Sequence, residues 1–227
     1  MNGIRDGLIL VVDTSTRSSI VAVGGVTPVA VSRRDVQHRH GSHVLEQIDE
    51  VMAEAGISLD DVTGLVVGTG PGSFTGLRVG MATVKTIAYA RGLRVVGVVS
   101  TDALRRAVGT TGVAPDAAVV LRAGARDHYL ARLGADPVLI APDGLEQVVH
   151  ESTMIAIDMD ADVLGEEAAE LGATAVEGLP AALLSMAHER LEAGDVDDPA
   201  ELTPAYVALP RGVKRAAEEL GWSPDLR

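Results

Sequence analysis

The sequence predicts an α/β domain built on a mixed β-sheet, and three observations predict it. Short apolar runs rich in β-branched residues recur through the first hundred positions in the order strand, strand, strand, helix, strand, helix, strand. A glycine-rich block, Gly68-Thr-Gly-Pro-Gly-Ser-Phe-Thr-Gly-Leu-Arg-Val-Gly80, separates one such run from a helical pattern. Apolar residues make up 47% of the 227 positions, yet only Phe74, Tyr89, Tyr129, Tyr206 and Trp222 are aromatic, so Val, Leu, Ile and Ala must fill the interior. A three-strand meander followed by two helical crossovers gives a sheet that is antiparallel on one side. A doubly wound domain would alternate strand and helix from the start.

The elements follow in order. Leu8 to Asp13 reads as a buried strand ending in an acid. Ser18 to Val23 and Thr27 to Arg33 read as two more, joined at Gly24-Gly25, a hairpin signal. Ser42 is placed to cap a helix whose apolar face is Val44, Leu45, Ile48, Val51, Met52 and Ala55, with Gly56 just past its end. Thr63 to Gly68 is the next strand. Ser73 or Thr75 can cap the helix that runs to Arg91, and Arg94 to Val99 is a fifth strand. Further on, Thr101 to Val108 reads as helix, as does Leu179 to Ala193. Ala117 to Leu121, Asp127 to Leu133 and Thr153 to Ile157 read as strands, and Asp195-Val-Asp-Asp-Pro199 as an acidic loop. No solenoid-type repeat and no low-complexity tract is evident.

The glycine-rich block is the most informative stretch. A strand, a glycine-rich turn and a helix N-terminus can receive an anion, because unpaired N–H groups point outward there. The familiar phosphate and nucleophile patterns are absent. No Gly-Lys pair exists for a Walker loop, the dinucleotide fingerprint would need Gly where Thr75 stands, and the places flanking Ser73 hold Pro71 and Thr75 where a hydrolase elbow needs glycines. Residue chemistry alone therefore favours a tight turn packed against its neighbours over a phosphate cradle.

Composition excludes several classes of function. There is no cysteine, hence no disulfide and no thiolate metal site. The net charge is −13, unevenly spread: residues 1–113 hold 11 basic and 10 acidic side chains, residues 114–227 hold 8 and 22. An acidic second half with few stacking aromatics argues against direct nucleic-acid binding, so any role on RNA would run through a partner. The opening residues lack a basic region and a long apolar stretch, and no apolar run approaches bilayer-spanning length; a cytoplasmic protein with no membrane contact is expected.

Three segments carry a resemblance: Leu10-Val-Val-Asp13-Thr14-Ser15, the Gly-Pro-Gly-Ser-Phe-Thr-Gly-Leu-Arg-Val-Gly block, and Pro204-Ala-Tyr206. On these the chain resembles the TsaB, or YeaZ, family over nearly its whole length. That family belongs to the bacterial apparatus that makes threonylcarbamoyladenosine in tRNA. The resemblance implies an actin-like/hexokinase/Hsp70 ATPase fold with two related lobes, here residues 1–100 and a degenerate 101–210; the Pro- and Gly-containing ending, 211–227, reads by its own residues as a mobile tail. It also implies an accessory role: a non-catalytic scaffold that docks on TsaD, the transferase subunit, with TsaE, an ATPase, joining them. Asp13, Thr14, Ser15, Gly70, Gly72, Ser73, Thr75, Gly76 and Arg78 would then be a vestigial phosphate loop and family signature, with no cofactor and no catalytic residue. The only Gly-Gly pair, Gly24-Gly25, lies in the first lobe, so the second lobe's half of a nucleotide clamp is missing. One departure from the family pattern is Arg122, where relatives carry Asp. A stand-alone ATPase or kinase, or a metallopeptidase, of the same superfamily is the alternative.

Weighed residue by residue, the remaining candidates are modest. His38, His40 and His43 are spaced by two, three and five, without the i to i+4 pair of a helical metal site, so solvated histidines before a capped helix are expected. Asp158-Met-Asp160-Ala-Asp162 has Val163 and Ala169 where a calcium loop needs Gly and Glu, which leaves a solvated acidic loop. Asp13 is expected to bond backbone N–H groups of the turn it ends rather than to hold a metal. In the family the two helices of the first lobe meet their counterparts on TsaD. The expected interface here is an outward stripe of Leu45, Ile48, Met52, Leu77, Met81 and Val84, which could also serve a homodimer.

Overall fold

Alternation along the first strand sets the layering. In β1 (Ile9–Asp13), Ile9 and Val11 enter one core and Leu10 and Val12 another, as the two-residue period of a strand requires. The computed structural model describes residues 7–35, 43–109, 112–113, 116–124, 126–148 and 152–207. β1 pairs antiparallel with β2 (Ser18–Gly24), which pairs antiparallel with β3 (Pro28–Asp35). On its other side β1 runs parallel to β4 (Gly64–Gly68), and β4 parallel to β5 (Arg94–Val98). The order β3-β2-β1-β4-β5 is the mixed sheet expected from the pattern, with its antiparallel part on one side.

Helices α1 (His43–Ala55) and α2 (Phe74–Arg91) cover the face that carries Leu10, Val12, Leu65 and Val67. Gln47 fixes α1 on the sheet: its amide donates to the Ser19 and Ser32 carbonyls at 3.1 and 3.2 Å, and Ser19 Oγ donates to Gln47 Oε1 at 2.7 Å. A buried amide with its partners supplied orients the helix more strictly than apolar packing alone. Helix α1 ends at Gly56, φ 67°, as expected. Ser73, not Thr75, caps α2, its Oγ accepting the Gly76 N–H at 3.2 Å. The proposed cap at Ser42 lies outside the described residues.

The opposite face of this sheet packs on α3 (Ser100–Gly109) and on the 27-residue α6 (Glu166–Glu192). Beyond those two helices lies a second sheet, β8-β7-β6-β9, made of β6 (Ala118–Ala123), β7 (Asp127–Ala131), β8 (Val138–Ile140) and β9 (Met154–Ile157). The short α4 (Pro142–Val148) contributes Leu145 to the core on its far face, and α5 (Ala161–Leu164) leads into α6. The second sheet repeats the opening of the first: an antiparallel meander, then a crossover to a strand parallel to the meander's first member. A counterpart of β5 is absent among the described residues, so the second sheet is the shorter one.

Helix α6 begins 13 residues before its sequence-based start. Gly172, Gly178 and Pro180 lower its local propensity, and Pro180 removes one internal hydrogen bond. Burial between two sheets overrides that weakness. After α6 the chain returns to the first sheet. Asp197 N donates to the Val95 carbonyl at 2.9 Å, and Gly97 N donates to Asp197 Oδ2 at 2.7 Å. Arg190 pairs with both Asp195 and Asp197. The acidic loop read from sequence is therefore a strap tied along β5. Residues 211–227 lie outside the described residues.

Candidate functional site

The turn after β1 is built around a buried carboxylate. Asp13 Oδ1 accepts from Ser15 N at 2.9 Å and Ser15 Oγ at 2.6 Å, while Oδ2 accepts from Ser100 Oγ at 2.7 Å. Ser100 Oγ in turn accepts the Gly70 N–H at 3.1 Å. Asp13 bonds the N–H of its own turn, as expected, and joins that turn to the glycine-rich block. The block lies directly on the turn: Ser73 N donates to the Ser15 carbonyl at 2.9 Å and Thr14 Oγ1 to the Gly76 carbonyl at 2.7 Å. A Cβ on Gly72 would overlap the Ser15 carbonyl oxygen, and one on Gly76 the Thr14 carbonyl oxygen. These glycines serve close backbone approach, which only a residue without Cβ allows.

The Pro204-Ala-Tyr206 segment meets the same block. Ala205 N donates to the Thr69 carbonyl at 2.8 Å, and the Tyr206 ring sits 5.1 Å from Phe74, centroid to centroid. Arg78 lies over the Phe74 ring at 4.3 Å and donates from Nε to Tyr206 Oη at 3.1 Å. Lys85 holds the strap from α2, donating to the Ala200 and Leu202 carbonyls at 3.3 and 3.0 Å. Arg78 was legible as part of the block; its partners Phe74 and Tyr206 and the Lys85 tether were not. The signal was the recurrence of an aromatic in each of two remote motifs.

A cleft of about 520 Å³ opens between the two sheets, lined by Arg17, Arg33, Asp158, Asp160, Gly172 and Glu177 among others. Asp158 Oδ2 accepts the Arg17 N–H at 2.6 Å, and Arg33 Nη2 donates to the Glu177 carbonyl at 2.6 Å. The expectation of a solvated loop fails at Asp158. Burial pushes its carboxyl above the usual carboxylate range, the Asp35 charge adds to that, and the Arg17 N–H and the Arg17 and Arg122 charges oppose it. Arg122 stands on β6 opposite His128 and 3.8 Å from Asp160. His128 Nδ1 is buried without a hydrogen-bond partner among the described residues; burial holds the imidazole below its usual value, Arg122 adds to that and Asp127 offsets part of it.

The expected outward stripe is corrected in five of its six members. Ile48, Met52, Met81 and Val84 belong to the core beneath α1 and α2, at 3%, 7%, 4% and 0% exposure, and Leu77, at 1%, is buried against Gly70. The helices need those side chains to cover their own sheet. Leu45 alone faces outward, at 59%, and Tyr89 on α2, at 63%, joins it as an exposed large apolar residue. Acidic side chains flank Leu45, where Arg34 pairs with Glu46 and Glu50. Among the described residues no group of three or more His, Asp or Glu is placed to hold a metal ion; His38 and His40 lie outside them. No described helix is long and apolar enough to cross a membrane.

Residues 9–184 match the family model of TsaD, tRNA N6-adenosine threonylcarbamoyltransferase. The tRNA threonylcarbamoyladenosine biosynthesis protein TsaB of Haemophilus influenzae is 30% identical over 133 residues, which are 57% of this chain and 55% of that protein. TsaB of Escherichia coli K12 is 32% identical over 90 residues, 40% and 39% of the two chains. The chain thus spans about half, or less, of the length of the curated relatives it matches. The structure of YeaZ from Pseudomonas aeruginosa superposes with a TM-score of 0.66 at 20% identity, covering 88% of this chain and 99% of that one. The α/β architecture of two mixed sheets flanked by helices is the fold of that protein. The chain belongs to the TsaD-like family, and the relatives it resembles include proteins named TsaB.

Proposed function

We propose that the chain takes part in making threonylcarbamoyladenosine in tRNA as a non-catalytic subunit that docks on a TsaD-like transferase, with a TsaE-like ATPase as a further component. One observation carries the reading. The backbone that a phosphate would need at the glycine-rich turn is pressed against Thr14 and Ser15, and the Asp13 carboxylate is spent on Ser15 and Ser100. A turn packed in this way serves to hold α2 rather than to move a phosphoryl group. The exposed faces of α1 and α2, centred on Leu45 and Tyr89 and rimmed by Glu46, Asp49 and Arg78, are the proposed contact with the partner. The same faces would serve a homodimer when the partner is absent. tRNA is then engaged through the complex, in keeping with the acidic second half. Activation requires the subunit to bind the competent state of the transferase more tightly than the idle one.

Reconstitution tests this. TsaD-like and TsaE-like proteins with threonylcarbamoyl-adenylate and tRNA should modify adenosine only when this chain is present. The match of residues 9–184 to a transferase model favours, as the second reading, a catalytic role. Turnover of ATP or of threonylcarbamoyl-adenylate by the purified chain alone would establish that second reading and overturn the first.

A further inference from the structure

Two of the chain's five aromatic residues come together around one guanidinium. Phe74 and Arg78 are neighbours on successive turns of α2, and the guanidinium lies over the Phe74 ring at 4.3 Å. Tyr206 arrives from the end of the strap, its ring 5.1 Å from Phe74 and its Oη accepting the Arg78 Nε–H at 3.1 Å. Arg78 is thus held by its face and by Nε. Its two terminal nitrogens have no hydrogen-bond or ion-pair partner among the described residues. Acids are not scarce, at 32 against 19 basic side chains, and other arginines take them. Arg34 pairs with Glu46 and Glu50, Arg91 with Asp60, Arg106 with Glu189, and Arg190 with Asp195 and Asp197. Arg78 is exposed instead, fixed in one orientation by neighbours that do not neutralise it. Tyr89 follows eleven positions later, about three helical turns, so it lies on the same side of α2 and is exposed too. A pre-oriented arginine with tyrosines beside it at the surface has the make-up of a binding hot spot.

We infer that Arg78 is a specificity-determining contact of the α2 face, kept for a carboxylate of the docking protein, with Tyr206 as its positioning residue. The inference rests on the reading that α1 and α2 dock on a TsaD-like transferase. It adds that the transferase sets an acidic side chain against the first turns of α2. The α1 side of the same face carries the acids Glu46 and Asp49, so the surface is polarised and fixes the orientation of its partner. A guanidinium also takes phosphate, but the acidic second half repels a nucleic-acid backbone, and the surface runs on to Tyr89 and Leu45. The strap enters the docking surface by this route. Leu202 sits where a Cβ on Gly97 would overlap it, and Lys85 holds the Leu202 carbonyl, which sets the strap in place to aim Arg78 through Tyr206.

Isothermal titration of the full chain into a TsaD-like transferase tests the inference, with each variant checked by circular dichroism and melting temperature. Arg78→Gln should weaken binding at least about tenfold while the melting temperature stays near that of wild type. Arg78→Lys keeps the charge without the planar fork and should recover only part of that loss. Tyr206→Phe keeps the ring against Phe74 and removes the acceptor for Arg78 Nε, and should weaken binding severalfold. In the double variant the two losses should not add, because Tyr206 acts through Arg78. Added salt should weaken the wild-type complex more than the Arg78→Gln complex. Leu45→Asp keeps the two readings apart. If it abolishes binding while Arg78→Gln binds as wild type does, the helix face stands and the carboxylate contact is overturned. A wild-type chain that does not bind the transferase overturns both. If Arg78→Gln binds the transferase normally but the assembled complex holds tRNA less tightly, the guanidinium meets a phosphate and the inference is likewise overturned. Should Arg78→Gln fail to fold, Arg78→Lys and Tyr206→Phe decide by the same comparison.

Discussion

Asp13 and Ser100 stand 87 positions apart and share a 2.7 Å hydrogen bond, through which the β1 turn, the glycine-rich block and the start of α3 become one unit. Ser100 also receives the Gly70 N–H, so its hydroxyl satisfies a buried acceptor and a buried donor at once. Ser100→Ala leaves both without that partner. The expected loss is about 1–3 kcal/mol, the cost of orphaning buried polar groups. Urea denaturation of the variant should show a lower midpoint with an unchanged slope.

Gly76→Ala should cost more than its chemistry suggests. The added methyl would fall on the Thr14 carbonyl oxygen, which is backbone and cannot step aside cheaply. Overpacking of this kind costs about 1–3 kcal/mol. Gly25→Ala is the control: no atom lies within contact distance of a Cβ there, and φ is not positive. Thermal melts should separate the two clearly; equal melting temperatures would show that the block does not press on the turn.

Most of the first sheet was legible because its physics is local. Apolar runs of five to eight residues, the Gly24-Gly25 turn and Gly56 each act through near neighbours, and together they give the order of elements. Helix α6 was only half legible, since its first half is made helical by the sheets that enclose it and not by its own residues. The partner face was misread for a related reason. Periodicity marks which side of α1 is apolar, but whether that side meets the chain's own sheet or another molecule is a property of the whole fold, and the sheet takes Ile48 and Met52. At the cleft, Asp158 looked like one acid among three; only the packing of β9 beside the β1–β2 turn singles it out.

Tyr206→Ala should loosen the strap without unfolding the sheets. It removes the contact with Phe74 and the acceptor for Arg78 Nε, worth about 0.5–1.5 kcal/mol for the ring pair. Lys85 and Asp197 still tether the strap upstream. Hydrogen exchange should quicken at Ala205, whose N–H is bonded to the Thr69 carbonyl, while exchange in β1 and β4 stays unchanged.

His128 makes stability depend on pH in a stated direction. Burial lowers its pKa in the folded chain, so the unfolded chain takes up the proton first as pH falls. Its contribution is therefore fully present above about 6.5, the unfolded value, and is lost as pH drops from there through the folded value. His128→Leu removes the titration. The melting-temperature difference between pH 7.5 and pH 5 should be smaller in the variant, and an unchanged difference would assign the pH response to other groups.

Leu45→Asp and Met81→Asp should separate folding from docking. Leu45 is exposed on α1, so a charge there costs the isolated chain little, and its melting temperature should stay within a degree or two of wild type, an effect on the order of 0.5 kcal/mol. Met81 lies in the core under α2, where an unpaired carboxylate is incompatible with the fold, so that variant reports on stability and says nothing of partners. If the exposed helix faces meet a TsaD-like partner, Leu45→Asp and Tyr89→Asp should each abolish co-elution on size exclusion while the folded variants remain intact, because a charge at the centre of an apolar contact is desolvated with no counter-ion. Co-elution that survives both substitutions would move the contact off α1 and α2.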